Sequence, residues 1–133
     1  MSYCINEALR GGSPVSVSIT QITLADIKLG PYEIKKGTNM IIDIYAISRL
    51  NSQWQQPDEF IPERFDPKSP LYLTPDGKKR HPMAFMPFLG GRRVCAGKSF
   101  AEIVMKLLIS TFMSKFEFEF VNEKDKTKKD HYV

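Results

Sequence analysis

Cys95 stands in the run Phe88-Leu89-Gly90-Gly91-Arg92-Arg93-Val94-Cys95-Ala96-Gly97, with two arginines just before it and glycines on both sides. Apolar residues at helical spacing begin directly after this run, which puts the thiol at the mouth of a helix. A helix N-terminus and nearby guanidinium groups both favour thiolate over thiol, so Cys95 is expected to be held readily as the anion. Gly91 and Gly97 leave the backbone bare where a flat ligand or a tight turn needs close approach. Backbone N–H groups at the end of the loop can then donate to the sulfur and tune it.

Three chemistries compete for such a loop. A buried, inert cysteine is the plainest, but the crowding of arginine and glycine is unusual for packing alone. A nucleophilic cysteine of the phosphatase kind is the second. Those loops place an arginine after the cysteine to grip phosphate, and Ala96 to Ala101 holds none. A metal-bound thiolate is the third, and the loop by itself leaves it open. His81 lies in a Pro- and Lys-rich stretch with no carboxylate close in sequence, which reads as an ordinary surface histidine. Cys4 is expected to be a small buried hydrophobe.

The elements around the loop follow from periodicity and breakers. Ser2 to Arg10 reads as a short helix ended by Gly11-Gly12 and Pro14. Val15 to Ile19 alternates with period two and suggests a half-buried strand. Ala25 to Ile34 suggests a hairpin turning at Leu29-Gly30-Pro31, with a second turn at Lys35-Lys36-Gly37. Met40 to Ile47 reads as a buried strand leading into a helical turn. Between Asn51 and Pro87 there are seven prolines, which exclude a long regular element. The aromatics Trp54, Phe60, Phe65, Phe85 and Phe88 in or beside that span argue for an ordered meander rather than a linker. Phe100, Ile103, Val104, Leu107, Leu108, Thr111 and Phe112 share one face of a long helix. Phe116 to Phe120 switches to period two, an expected edge strand, and residues 122–133 form a charged tail.

The bulk numbers set limits. A chain of 133 residues suits one modest domain. Hydrophobic residues at 42% and charged residues at 26% are ordinary for a packed protein. The net charge of +4 and pI near 9.1 are mild, and part of the excess sits in the tail, so they do not by themselves argue for nucleic acid. Two dissimilar cysteines do not make a disulfide framework. No apolar run reaches the length of a membrane span.

The loop resembles the ligand loop of the cytochrome P-450 family. That pattern, Phe-x-x-Gly-x-Arg-x-Cys-x-Gly, is met at all five fixed positions by Phe88, Gly91, Arg93, Cys95 and Gly97. Glu7-Ala8-Leu9-Arg10 is similar to the Glu-x-x-Arg of the family's K helix. Pro62-Glu63-Arg64-Phe65 is similar to its meander motif, with Trp54, Pro57 and Phe60 before it. The resemblance runs from Ile5 to about Phe120. It implies an α+β fragment of a mainly α fold: a short helix, hairpin strands, a Pro-rich meander, the cysteine ligand loop and a long final helix. The fragment would be the C-terminal, haem-binding part, with residues 1–121 as the partial domain.

By the same resemblance Cys95 is the proximal ligand of haem b iron, and Arg93 pairs with a propionate. Phe88 packs beside the sulfur and keeps water off it, while Gly91 and Gly97 seat the cofactor. Glu7, Arg10 and Arg64 form a buried charge triad of architectural role. The segment Ser13 to Ser18 lines a substrate pocket. Lys78, Lys79, Arg80, Arg92 and Lys98 form a basic face for an acidic electron donor. The complete enzyme is expected to be a monooxygenase fed by a reductase, acting on a small lipophilic substrate. The endoplasmic reticulum or another intracellular membrane is its expected location. A non-catalytic remnant or partner-binding module is the other reading of a chain this short. The sequence departs from the family where Gly11-Gly12-Ser13-Pro14 replaces the usual Leu-x-Pro-Pro. It also lacks the acidic-Thr pair of the oxygen-activating helix and the Trp-x-x-x-Arg of another helix, since Asp58 stands four places after Trp54. These gaps imply that the chain alone does not catalyse oxidation.

Overall fold

A computed structural model describes residues 1–119 and 121; the expected tail at 122–133 and the last residue of the expected edge strand, Phe120, lie outside them. The chain begins with helix α1 (Ser2–Gly11), one residue longer than the expected span. Its buried residues are Ile5, Glu7 and Arg10, so two of the three side chains it turns inward are charged. Cys4 lies exposed on the same helix, contrary to expectation, because the inward face is taken by that charged pair. The glycine exit is held from outside: the Arg49 guanidinium donates to the Gly11 carbonyl and stacks 3.7 Å from the Tyr45 ring centre.

Val15 to Ile19 does not form the expected strand; it makes one bridge, Val17 to Asp43. The Ser18 hydroxyl accepts from the Ile42 N–H at 2.9 Å and donates to the Ile19 carbonyl at 3.0 Å. A side chain thus occupies bonding positions that a ladder would give to backbone, and regular pairing stops.

The first two strands of the following segment are β1 (Gln21–Ile22) and β2 (Ile27–Leu29), followed by β3 (Tyr32–Ile34) and β4 (Asn39–Met40). β2 and β3 form the expected hairpin, with Leu29 facing Tyr32 across Gly30-Pro31. Gly30 has φ +58°, the left-handed conformation a two-residue hairpin turn requires. β1 pairs antiparallel with β4 and encloses that hairpin. Asp26 braces the enclosed turn by accepting from the Lys36 N–H at 2.8 Å and from Lys35 Nζ at 2.9 Å. The Lys36 amide first, and then the Lys35 ammonium, hold its carboxyl below the usual carboxylate value. A carboxyl lowered in the folded state contributes stability above its unfolded value and loses it as pH falls through the folded one. Acidification below the ordinary aspartate range should therefore release the Lys36 amide, seen as an upfield NMR shift whose midpoint lies below the usual aspartate value, and Asp26→Asn should abolish that titration.

The apolar run from Met40 is not a buried strand. Ile41 and Ile42 are exposed, and the ladder between β1 and β4 ends at Met40. The one polar residue of the run explains the change: Asp43 caps α2 (Ile44–Ile47) by accepting from the Ala46 N–H at 2.8 Å. Ile44 is then buried at the start of that turn.

The proline-rich span is ordered, as its aromatics suggest. Prolines open three short 3-10 turns, Pro62–Phe65, Pro70–Tyr72 and Pro82–Ala84, where a missing N–H costs nothing. The turns fold around Trp54, which is 1% exposed. Phe65 and Phe85 lie 4.9 Å apart between ring centres and 5.9 and 6.4 Å from Trp54. Beyond the cysteine loop comes α3 (Lys98–Lys115). Its apolar residues take the expected helical spacing, yet none is buried, and Phe100 is 75% exposed. Phe116 to Glu119 forms no strand, because no described segment pairs with it. The Phe112, Phe116 and Phe118 rings instead follow one another at 5.7 and 6.4 Å. The whole is a small α+β assembly of few helices and short antiparallel strands.

Candidate functional site

The cysteine loop is built from one turn and two backbone bonds. Phe88 accepts the Cys95 N–H at 2.9 Å, and Met86 accepts the Leu89 N–H at 3.0 Å. A 3-10 turn at Gly91–Arg93 lies between, and Lys98 N–H closes onto the Cys95 carbonyl at 3.2 Å to start α3. Cys95 itself is exposed, as are Arg92 and Arg93. Phe88 is half-buried beside a small cleft that also touches Asn6 and Leu9 of α1 and Lys98 and Glu102 of α3. The inert buried cysteine weighed above is therefore not what the chain contains.

The glycines differ in why they are glycine. Gly91 has φ +67° with open space around a notional Cβ, so only backbone conformation requires it. At Gly97 a Cβ would stand 3.8 Å from Cys95 Sγ, ordinary contact. At Gly90 it would meet Met83 Sδ at 3.1 Å, the end of a flexible, exposed side chain. Gly91→Ala should accordingly cost about 1 kcal/mol of loop stability through strain. Gly90→Ala should cost less than half of that, since Met83 can turn aside. Denaturation midpoints of the two variants check the order, and equal losses would show that space, not φ, decides.

Behind the loop lies a buried charge cluster. Arg10 Nε donates to Glu7 Oε2 at 2.9 Å and Arg10 Nη2 to Glu7 Oε1 at 2.8 Å, a two-pronged pair one helical turn apart. Arg64 Nε reaches the same Oε1 at 3.2 Å from the meander, and the Ile61 N–H adds a bond at 2.9 Å. Carbonyls supply the rest: Arg10 donates to Ser48, Pro57 and Glu59 at 2.9, 2.7 and 3.1 Å. All five of its donors are thereby used. Arg64 donates to the Gln56 and Glu59 carbonyls as well. Gln56 is held at φ 47°, a strained conformation for its type, and its carbonyl is one of those acceptors. Burial pushes the Arg64 guanidinium down from its ordinary value, with Glu7 opposing the shift. Arg64 Nη1 and Trp54 Nε1 are buried with no hydrogen-bond partner among the described residues.

The structure therefore brings Glu7, Arg10 and Arg64 together across more than fifty residues of sequence, and it places Phe88, Gly91, Arg93, Cys95 and Gly97 on one loop. It separates the expected basic face. Lys78, Lys79, Arg92 and Lys98 are exposed, but Arg80 is not part of that surface. Its guanidinium lies 4.3 Å from the Trp54 ring centre and donates to the Leu71 carbonyl at 2.9 Å and to the Arg64 carbonyl. A guanidinium is weakly hydrated and stacks on aromatic rings, which is why it moves inward where a lysine would stay in water. The residues that sequence reasoning missed, Arg49 and Arg80, carry no local signal beyond an aromatic-rich neighbourhood. His81 sits as an exposed turn residue whose Nδ1 accepts the Met83 N–H at 3.1 Å. Among the described residues no cluster of three or more His, Cys, Asp or Glu could hold a bare metal ion.

An exposed cysteine thus lies on a glycine-arginine loop in a chain that also holds a buried Glu-Arg-Arg cluster and a proline-rich meander. The cytochrome P450 family profile matches residues 1–133, and the chain belongs to that family. It is 34% identical over 116 residues to ent-cassadiene C11-alpha-hydroxylase 1 of Oryza sativa subsp. japonica, covering 86% of this chain and 22% of that protein. Steroid 17-alpha-hydroxylase/17,20 lyase of Felis catus is 31% identical over 116 residues, with the same coverage of 86% and 22%. A zebra fish cytochrome P450 structure with abiraterone superposes with a TM-score of 0.72 at 29% identity, covering 91% of this chain and 27% of that one. The chain thus spans about a fifth of the length of the curated relatives it matches. Family membership implies a haem cofactor. No helix among the described residues is long and apolar enough to cross a membrane.

Proposed function

We propose that this chain is the C-terminal, haem-binding part of a heme-thiolate monooxygenase, running from the Glu-x-x-Arg helix through the cysteine loop and α3. The observation that carries the reading is the exposed Cys95, held by its own backbone on a loop with Gly97 beside the sulfur. A solitary soft donor suits a metal whose remaining ligands come with a macrocycle, so the residues present fit haem b. Cys95 would hold the iron, and Arg93, exposed on the same loop, would pair with a propionate. Phe88 would shield the sulfur from water, and Gly91 and Gly97 would let the macrocycle approach the backbone. Haem bound through a thiolate supplies the activation of molecular oxygen for insertion of one oxygen atom into an organic substrate.

The protein's own contribution is rigidity and charge. Glu7, Arg10 and Arg64 tie α1 to the meander, and the Trp54-Phe65-Phe85 cluster ties the meander to the approach of the loop. The substrate would be small and lipophilic, and electrons would come from a reductase docking near Lys78, Lys79, Arg92 and Lys98, exposed cations suited to an acidic partner. The complete enzyme would work at the endoplasmic reticulum or another intracellular membrane. The chain alone would bind haem without oxidising substrate, since the sequence holds no acidic-Thr pair. Haem titration of the purified chain, followed by reduction under carbon monoxide, tests the reading. A red-shifted Soret band supports a competent half-site; absence of haem binding favours the non-catalytic remnant or partner-binding module. Immunoblotting of source cells against Pro87 to Gly97 then distinguishes a 15.2 kDa product from a piece of a longer enzyme.

A further inference from the structure

The buried charge cluster is larger than the triad, and its extra member, Arg80, stands where the chain sets out toward the cysteine loop. Three guanidiniums, those of Arg10, Arg64 and Arg80, gather around Trp54 and the Glu7 carboxylate. Among the described residues no ion pair joins Arg80 to a carboxylate. It stacks on Trp54 and lies 5.5 Å from the Tyr72 ring centre. Its two terminal nitrogens donate to the Leu71 and Arg64 carbonyls. Stacking on a ring while donating in two fixed in-plane directions is a task for a guanidinium, which an ammonium cannot reproduce.

The chain that leaves Arg80 is anchored at each step until it reaches Cys95. The His81 N–H donates to Gln53 Oε1 at 2.8 Å, and the His81 carbonyl accepts the Ala84 N–H at 2.9 Å. Phe85 packs on Phe65 and Trp54, and Met86 is 7% exposed. The sulfurs of Met83 and Met86 close on Gly90, within 3.1 and 3.7 Å of where its Cβ would stand. Met86 then accepts the Leu89 N–H, and Phe88 accepts the Cys95 N–H.

We propose that Arg80 is a positioning residue for the cysteine loop: it fixes the point at which residues 81–88 leave the charge cluster and so sets where Phe88 holds the backbone of Cys95. The proposal deepens the haem-ligand reading, on which its functional consequence rests, but the placement itself is a property of the chain without haem. Arg80 is hydrogen-bonded to the triad through the Arg64 carbonyl, while Glu7 keeps its own hydrogen bonds to Arg10. A change at Arg80 therefore leaves the Glu7–Arg10 pair intact.

Amide hydrogen exchange on the full chain, comparing wild type with Arg80→Lys and Arg80→Met, reads the effect. Protection of the Leu89 and Cys95 amides should fall about tenfold in both variants, the loss expected for one hydrogen bond from a charged donor. Amides of α1 and of the β2–β3 hairpin should keep their protection. A uniform fall everywhere would show that Arg80 only stabilises the fold, and unchanged Leu89 and Cys95 amides would show that it does not reach the loop; either result overturns the proposal. Should the Arg80 variants fail to fold, Gln53→Ala and Gln53→Glu decide, because Gln53 anchors the next residue from the half-exposed surface. The alanine should weaken Leu89 and Cys95 protection a few-fold and the glutamate, which keeps the acceptor, should not; equal effects overturn the proposal. With haem added, Arg80→Lys should lower the share of reduced, carbon-monoxide-bound protein showing the red-shifted band. Survival of that band in Cys95→Ser would remove the ligand reading alone, leaving the exchange pattern to judge Arg80.

Discussion

Cys95→Ser is expected to abolish the red-shifted Soret band of the reduced, carbon-monoxide-treated chain and to weaken haem binding by about 100-fold or more. Loss of groups that merely orient a metal ligand costs 10–100-fold in metal affinity, so the ligand itself sets the upper end of that scale. Serine keeps the backbone bond to Phe88 and the exposed position, so the fold should not change. Its hydroxyl is not ionised near neutral pH and is a hard donor, whereas the thiolate is soft and gives electron density to the iron. Cys4→Ser supplies the control, because Cys4 is equally exposed but lies on α1 away from the loop glycines. If both variants lose the band alike, general thiol chemistry rather than ligation explains it. If neither does, Cys95 is not the ligand.

Glu7→Gln should come close to unfolding the protein. The substitution keeps the shape of the side chain and removes the one charge that two fully buried guanidiniums share. Removing one partner of a buried pair leaves an uncompensated charge and costs about 3–5 kcal/mol. That is a large part of the roughly 5–15 kcal/mol by which ordinary domains are stable. The amide also turns N–H donors toward Arg10 and Arg64, which have only donors to offer. The carbonyls of Ser48, Pro57, Gln56 and Glu59 soften the loss but cannot replace the carboxylate. Urea denaturation followed by circular dichroism should show the midpoint collapse, with the Trp54 fluorescence transition losing its cooperativity. A midpoint within about 1 kcal/mol of wild type would mean that the carbonyl cradle alone carries the guanidiniums.

The two substitutions act on parts of the molecule that were readable to different depths. The Glu7–Arg10 pair is a local matter: residues three apart on a helix share a face, and the pair forms there. Their burial is not local, and neither is the third member. Nothing in the spacing of Arg64 ties it to Glu7, fifty-seven residues earlier; only the likeness of both motifs to a known family joined them. Arg80 shows the limit from the other side. In sequence it ends the run Lys78-Lys79-Arg80 and looks like the neighbouring lysines, yet stacking on Trp54 draws it out of the surface they form.

Periodicity fared in the same way. It located α1, the β2–β3 hairpin and α3, because each is fixed by residues near it in sequence: glycine breakers, a two-residue turn, and apolar residues at helical spacing. It misjudged Val15–Ile19, where the Ser18 hydroxyl takes part in the pairing, and Phe116–Glu119, where no described strand lies alongside. Alternation states which faces a strand would have, not whether another chain segment arrives to bond it.

The sequence by itself determined the cysteine loop, its glycines, the order of the elements and the family to which they belong. These depend on residue type and short spacing. Tertiary structure alone decided which charges are buried, which apolar faces stay open and how the meander's carbonyls share two guanidiniums. Those outcomes depend on contacts between segments tens of residues apart, and the free energy of such a contact belongs to neither segment alone.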